Sequence, residues 1–569
     1  MILNIDKSDS GGQPGSTVLP QTEKKRKVFP IHPLLFAAFP LLALVARNVE
    51  KIPIQQIFWP LAMAILGTGV GWLFFFFLTR HVRKAALAAS IVVLLFFSYG
   101  HIVNLVPKGL HGIVLPVCLL AMAALLFVIA RSRQSLYDTT SVLNLAAVVL
   151  LAPSCWTILT QIGTSSPSIY EGAAAKQSKQ GDLLSGSQAT VTVNRHLSTA
   201  PQDVPDVYYI ILDAYGRADR LQTYYGYDNT PFLQALEARG FFIARHSEAN
   251  YNQTPLCLAS ALSMNYLDPP RGQQLSPEAL RIKVDDNAVI NYLRKKDYHY
   301  IDIASGLEES RIKTADMVLN DAPDLSTLEG SMLDLTALGS MASHQKKRYD
   351  RHRKRLNGGF DNLAKAAALP YPKFVFAHIL APHPPFVFGP NGEAIDPGGP
   401  LTLADASELL KDMPKDEYRR RYIAQLEYVN KRALAAVDAI LKQSKHQPII
   451  IIQGDHGSRM NLDWESLERT DLREPFSNLN AYLVPNNVRR DLTDKITAVN
   501  SFRIILTDAF GAKDLPRLPD RNFYSTESHP YNFVDVTERL ARIAGDSRRT
   551  RNASRTARKI GGKGAPLLR

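Results

Sequence analysis

Long uninterrupted apolar runs before residue 165 give way, after about residue 205, to short apolar blocks that alternate with amphipathic stretches. Five of the long runs, at about 33–47, 56–79, 85–106, 111–130 and 141–162, approach or exceed the roughly 20 apolar residues needed to cross a bilayer. The run from Trp59 to Thr79 is the clearest, with Phe74 to Phe77 in succession and no charge. The first is the weakest, because it is short and interrupted by Pro40. A cleaved signal peptide explains that run less well: its basic cluster, Lys24 to Lys27, lies deep in the chain and four further spans follow.

The second regime has a different period. Val207-Tyr208-Tyr209-Ile210-Ile211-Leu212 predicts a first strand ending at Asp213. Helical spacing at about 231–239 (Phe232, Leu233, Leu236) stops at Gly240, and a further helix over Ala288 to Lys296 leads into a strand over Tyr298 to Ile303. Lys373 to Ile379 predicts another strand. A long amphipathic helix at about 416–444 runs directly into Ile449-Ile450-Ile451-Ile452, four β-branched residues that suit a strand buried on both faces. Strands alternating with helices predict an α/β domain with a mostly parallel sheet covered on both sides. Residues 306–360 and 387–412 break the pattern; the second reads as a surface loop, and helix-like segments near 327–342 as a cap or insertion. Residues 163–204, rich in Ser, Gly, Ala, Gln and Lys, read as a linker. No internal repeat is evident.

The chain is too long for one core, so several units are expected: 1–32 as a cytoplasmic segment, 33–162 as a membrane bundle, 163–204 as the linker, 205–545 as a catalytic domain and 546–569 as a basic tail. Charge sets the orientation. Lys24, Lys25, Arg26, Lys27, Arg80, Arg83, Lys84, Arg131 and Arg133 fall on one side of the spans, against Arg47, Lys51 and Lys108 on the other. This predicts a cytoplasmic N-terminus in a bacterial-type inner membrane, and five crossings then deliver the α/β domain to the periplasmic or extracellular side. The formal net charge of +13 reflects those loops and the tail from Arg548 to Arg569. An exported domain rarely meets nucleic acid, so disorder or contact with anionic headgroups explains the tail better. Of three cysteines, Cys118 and Cys155 lie in spans and Cys257 stands alone in the exported part, which therefore forms no internal disulfide. Cys257 reads as a packed helix residue.

Candidate chemistry gathers where the strands end. Gly454-Asp455-His456-Gly457 follows the four isoleucines directly. In open α/β sheets ligands collect at the carboxyl ends of strands, and a carboxylate beside an imidazole there suits a divalent metal. A plain glycine turn with an Asx-bonded Asp fits the same four residues. Asp213, before Ala214-Tyr215-Gly216, is either a second ligand or a cap. Thr254 precedes Pro255 and is either the N-cap of a helix or a hydroxyl nucleophile in the positive field of its N-terminus. His378 and His383, in His378-Ile379-Leu380-Ala381-Pro382-His383-Pro384-Pro385, either donate to a bound oxyanion or sit in a loop shaped by proline. His529, in the segment Glu527 to Asn532, is a candidate for an extra contact.

In this order — acid after the first strand, hydroxyl about forty residues on, histidine segment, then Asp-His-Gly — the chain resembles the alkaline phosphatase and sulfatase superfamily. The resemblance covers roughly 205–545 and is closest to the membrane-anchored branch that includes lipoteichoic acid synthases and lipid A phosphoethanolamine transferases. It implies an alkaline-phosphatase-like domain behind about five transmembrane helices. It also implies a divalent metal (Zn or Mn, with Mg or Ca as alternatives) on Asp213, Thr254, Asp455 and His456. Thr254 would be the nucleophile, His383 and His378 the substrate-binding residues, and a membrane lipid or envelope glycan ester the substrate. The alternatives are a sulfuric ester hydrolase and a non-catalytic scaffold with a decayed site. Against sulfatase chemistry, Thr254 lies outside any Cys/Ser-x-Pro-x-Arg motif and Asp213 is followed by Ala214 rather than a second acid. The transferases usually carry disulfides, which this domain cannot form internally.

Overall fold

The computed structural model describes residues 28–48, 54–164, 192–193, 204–268, 275–320, 327–336, 338–339, 342–397 and 401–543. The N-terminal segment before residue 28, most of the expected linker and the basic tail lie outside the described residues.

Five apolar helices form the first part: α1 (His32–Arg47), α2 (Phe58–Thr79), α3 (Val82–Asn104), α4 (His111–Arg131) and α5 (Tyr137–Thr164). Among the described residues, four of these, α2 to α5, are long and apolar enough to cross a membrane. α1, the run read as the weakest of the five, has 16 residues and carries Pro40 inside it. α1 packs on α5 and α2 through Leu41, Val45, Ile57 and Ile158. At one end of the bundle, Lys84 Nζ donates to Ala130 O at 3.1 Å and the Arg83 guanidinium lies over the Tyr137 ring, so the α2–α3 and α4–α5 connections meet.

Among the described residues of the second part, an eight-stranded sheet runs β1-β5-β4-β6-β2-β7-β8-β3. Its strands are β1 (Thr192–Val193), β2 (Val207–Leu212), β3 (Phe242–Ile243), β4 (His299–Ile303), β5 (Met317–Leu319), β6 (Lys373–Ile379), β7 (Ile449–Gln453) and β8 (Asn480–Leu483). β5, β4, β6, β2 and β7 are parallel. The edges differ: β1 pairs antiparallel with β5, and β8 antiparallel with β7 and β3. β1 is a departure from expectation, since Thr192 and Val193 fall within the predicted linker.

Side-chain alternation explains the layers. Tyr208, Ile210 and Leu212 of β2 point into one core, and Val207, Tyr209 and Ile211 into the other. Because both faces are covered, β2 and the four isoleucines of β7 read as unbroken apolar runs, and each large side chain so buried contributes about 1.5–3 kcal/mol. Among the described residues, the longer helices of the second part are α6 (Thr230–Ala238), α7 (Thr254–Ser263), α8 (Pro277–Asp285), α9 (Ala288–Arg294), α10 (Thr327–Asp334), α11 (Ala342–Ala367), α12 (Lys415–Gln443) and α13 (Ala498–Phe510). α6, α11 and α12 cover the first face; α7, α8, α9 and α13 cover the second.

α10 falls within the helix-like stretch read near 327–342, whereas β5 and most of α11 are structure in residues 306–360 that their pattern does not predict. A three-residue strand and a strongly basic helix give little apolar periodicity to read. α11 leads into β6 and so runs antiparallel to it. A Cβ at Gly358 would meet Asn320 Oδ1, just beyond β5, and one at Gly359 would lie 3.1 Å from Ile379 at the end of β6. The helix therefore passes the carboxyl edge of the sheet there, and its N-terminal portion continues about 24 Å beyond. At that far end α10 buries Leu328 and Met332 against Leu41, Val45, Ile57 and Ile158 of the bundle, and Gly100 N–H of α3 donates to Leu335 O at 2.8 Å. The carboxyl edge of the sheet thus faces the apolar bundle, toward the ends opposite the Lys84–Ala130 contact.

Candidate metal centre and nucleophile

β6, β2 and β7 are adjacent and parallel, so their carboxyl ends coincide. His378 and Gln453 both stand in register with Ile211. Asp213 therefore emerges from the middle strand between His378 on one side and Asp455, two residues past Gln453, on the other.

The backbone around them is unusually constrained. Ala214 has a left-handed φ of 59°, a strained conformation for a residue with a Cβ. It aims its N–H at Asp455 Oδ1, 3.1 Å away, and its carbonyl accepts from the Tyr422 hydroxyl of α12 at 2.8 Å. Gly454 and Gly457 are required by crowding rather than by a turn. A Cβ at Gly454 would lie 2.5 Å from Tyr215 O, and one at Gly457 2.0 Å from Glu474 O and 2.5 Å from Ser477 O. The buried Glu474 carboxylate holds the chain beyond the motif, accepting from Ser458 Oγ at 2.9 Å and from the amides of Met460 and Asn461 at 3.0 and 2.7 Å.

Thr254, Asp213, Asp455 and His456 converge. His456 Nε2 lies 3.1 Å from Thr254 Oγ1, 3.1 Å from Asp455 Oδ2 and 3.7 Å from Asp213 Oδ1. His456 Nδ1 donates to Gly457 O at 2.8 Å, and a carbonyl only accepts. Of the two neutral tautomers, the one with its proton on Nδ1 keeps this bond and turns the Nε2 lone pair toward the carboxylates. Asp213 Oδ1 and Asp455 Oδ2 are buried and lack a hydrogen-bond partner. Two orphaned anionic oxygens and an imidazole lone pair directed at one point repel one another, and a cation between them resolves the conflict. This donor set fits a divalent ion.

His378 is buried with both ring nitrogens engaged. Its Nε2 donates to Asp213 Oδ2 at 3.0 Å and its Nδ1 accepts from Ser310 Oγ at 2.9 Å. One donor atom from each of Asp213, His378 and Asp455 lies within 4.8 Å of the others, close enough to hold a metal ion. His378 thus lies with the carboxylates and does not line the cavity beside Thr254. His383 is half-buried on the loop after β6. Its N–H donates to Asp213 O at 3.0 Å and its Nδ1 donates to Pro384 O at 2.6 Å, which leaves Nε2 for other partners. Gln425 of α12 clamps that loop, donating to His383 O at 2.9 Å and accepting from Val387 N at 2.8 Å.

The helix cap differs from expectation. Gln253 occupies the N-cap position of α7 and Thr254 the first helical residue, with no side-chain cap hydrogen bond. The Thr254 hydroxyl faces His456 instead. Cys257 is buried, donates to Tyr251 O at 3.1 Å, and burial pushes its thiol up. His529 is exposed on the loop that carries Pro530 and Tyr531 into the cavity wall.

A cavity of about 230 Å³ opens beside Thr254, lined also by Arg281, Glu309, Arg459, Trp464 and Tyr531. Arg459 escaped the sequence reading, although it lies three residues beyond His456. Its Nη1 donates to Asp405 Oδ2 at 3.0 Å and its Nη2 to Asn252 O at 2.8 Å. Burial pushes the Asp405 carboxyl up, but Arg459 and His383 outweigh it and leave it below the ordinary range.

No protein-family model matches the sequence, and no curated protein matches it. Solved structures do. The chain is similar to the integral membrane protein lipooligosaccharide phosphoethanolamine transferase A from Neisseria meningitidis, at 12% identity, over 84% of this chain and 95% of that one, with a TM-score of 0.36. It is similar to the C-terminal periplasmic domain of EcEptC from Escherichia coli, at 13% identity, over 60% of this chain and 96% of that one, with a TM-score of 0.36. A zinc complex of that Escherichia coli domain aligns at 14% identity, over 61% of this chain and 95% of that one, with a TM-score of 0.35.

Proposed function

We propose that the chain is a membrane-anchored, metal-dependent enzyme of the sulfatase superfamily that transfers or hydrolyses a phosphoester on a lipid or glycan at the outer face of the membrane. The observation that carries this reading is the Thr254 hydroxyl at 3.1 Å from His456 Nε2, beside the orphaned oxygens of Asp213 and Asp455. Asp213, Asp455, His456 and Thr254 would hold the ion, with His378 buttressing Asp213. A divalent cation bound there supplies positive charge that lowers the hydroxyl pKa and offsets charge on the equatorial oxygens of phosphorus.

Thr254 Oγ1 then attacks phosphorus, the bond to the leaving oxygen breaks, and a phosphothreonine forms. The position of Thr254 at the start of α7 places the incoming anion in the positive field of that helix. His383 Nε2, left open by the Nδ1 bond to Pro384, takes the proton that Thr254 releases and gives it to the leaving oxygen; in the second step it takes the proton of the acceptor hydroxyl or water and returns it to Thr254 Oγ1. The bundle supports a membrane-borne substrate, because the carboxyl edge of the sheet faces it through α10. The same contact supports the orientation read from charge, with residues 205–545 as the exported catalytic unit.

The test is mass spectrometry of the purified, metal-loaded full chain after brief exposure to bis(4-nitrophenyl) phosphate. A 4-nitrophenyl phosphoryl adduct on Thr254, formed with release of one nitrophenolate and lost together with turnover in Thr254→Ala, is the expected result. Undiminished turnover by Thr254→Ala sinks the nucleophile assignment.

A further inference from the structure

We propose that the hairpin of α10 and α11 seats on anionic phospholipid headgroups of the leaflet that faces the α/β domain, with Leu338 in the apolar boundary and Lys346 and Lys347 in the phosphate layer. The proposal concerns how the domain meets the bilayer and is independent of the chemistry at Thr254.

The hairpin reaches the bundle by its tip. Leu328, Met332 and Leu335 recur at helical spacing and pack on the bundle, where Gly100 N–H, about one turn from the end of α3, donates to Leu335 O at 2.8 Å. Gly330, on the opposite side of α10, faces α11: a Cβ there would lie 3.2 Å from Arg348 Nη2. The Gln345 side chain, in the first turns of α11, donates to Gly339 O, so the tip is tied to the start of the helix. Leu338 protrudes from this tip and is 53% exposed. Among the described residues after 204, the only other large apolar side chains left exposed are Leu403 and Val534. An exposed leucine beside the ends of apolar helices is placed to enter the bilayer boundary.

Directly behind the tip the chain turns cationic. Residues 346–355 contain seven Lys or Arg and one acid, Asp350. That acid is committed to Lys346 at 3.0 Å and Arg353 at 2.7 Å, and among the described residues no acid pairs with Lys347. Gln345, Tyr349, His352 and Leu356 form the buried stripe of the helix, which leaves Lys346 and Lys347 exposed. Like charges three and four residues apart oppose helix formation, and an anionic surface offsets that repulsion. A solvated face accounts for exposed lysines in general. It does not account for lysines set one to two turns behind an exposed leucine at the end of a membrane bundle. Lys347 stands about 8 Å along the axis from Ala342. The headgroup layer of one leaflet is about 5–8 Å thick, and charges act over about 8 Å at physiological salt. Both lysines thus come within reach of lipid phosphates, each favouring attachment roughly fivefold.

Electron paramagnetic resonance of the full chain in vesicles tests this, with a nitroxide on Leu338→Cys in a Cys118→Ala, Cys155→Ala background; the remaining Cys257 is buried. The readout is the ratio of collisions with oxygen, which enters the bilayer, to collisions with a neutral nickel chelate, which stays in water. The ratio is expected to be at least threefold higher in phosphatidylcholine vesicles containing phosphatidylglycerol or phosphatidylserine than in phosphatidylcholine alone. Lys346→Gln/Lys347→Gln should abolish the rise, and Lys346→Arg/Lys347→Arg should keep it. Lys442→Gln/Lys445→Gln should also keep it, because these residues precede β7 at the opposite edge of the sheet. In about 1 M salt, where screening shortens to about 3 Å, the rise should vanish without any lysine substitution, which decides the matter if the glutamine pair misfolds. Equal ratios with and without anionic lipid, a rise that survives the glutamine pair or the salt, or a response to phosphatidylglycerol alone overturns the docking. Thr254→Ala should leave every one of these ratios unchanged, so failure of the phosphoester reading and failure of this proposal are told apart.

Discussion

At the scale of single residues, the Asp-His-Gly segment works through what surrounds it. Gly457 lies against two backbone carbonyls, at distances no real Cβ occupies. Gly457→Ala should therefore cost on the order of 3 kcal/mol, and an unchanged thermal unfolding midpoint would refute the crowding argument. Ser310 is a subtler case. Its hydroxyl holds His378, which holds Asp213, so Ser310→Ala should lower zinc affinity about 10- to 100-fold, read by competition with a chelating dye while the fold survives. Retained affinity would mean that Asp213 is positioned without this chain. Sequence reasoning singled out Asp213, Thr254, Asp455, His456 and His378 because each stands at a strand end or helix start, where local pattern is strong, and His383 because prolines bound it on both sides. It missed Arg459, Glu309 and Glu474, since a charged residue in a loop carries no periodicity that distinguishes a buried role from a solvated one.

At the scale of elements, predictability followed apolar content. β2, β6 and β7 and the long helix α12 fall within a residue or so of expectation because they are buried, and burial is written into an unbroken or periodic apolar run. Residues 306–360 were opaque for the converse reason: β5 is short, and α11 is basic along the portion that projects past the sheet. That projection ends at the contact of α10 with the bundle, where Leu328 is fully buried. Leu328→Asp places a carboxylate in that contact. Turnover of a lipid-borne ester in vesicles should fall at least tenfold, while turnover of a soluble nitrophenyl ester stays within twofold. Equal loss on both substrates would mean that the contact supports the fold rather than access to the membrane.

At the scale of the whole molecule, the two parts have separate cores. The two large clusters that flank the sheet draw no residue from the apolar helices. A fragment spanning 205–545 should accordingly unfold in one cooperative transition and keep its metal, measured by calorimetry and metal analysis; a molten fragment would show that the bundle contributes to folding. Topology can be checked independently. Cysteine placed at Lys347 should react with an impermeant maleimide in intact cells, and cysteine at Arg133 only after permeabilisation. The reverse pattern would invert the orientation. By itself the sequence determined the apolar helices, the alternation that builds a parallel sheet and the polar residues at its strand ends, because these are consequences of local period and of burial along one stretch of chain. Only the tertiary structure decided which groups meet. Strand order set β2 between β6 and β7, and so joined residues more than two hundred positions apart into one donor set. The return of α11 toward the bundle turned the edge that carries those groups to face the apolar helices. Those outcomes depend on the packing of distant segments, which no window of sequence contains.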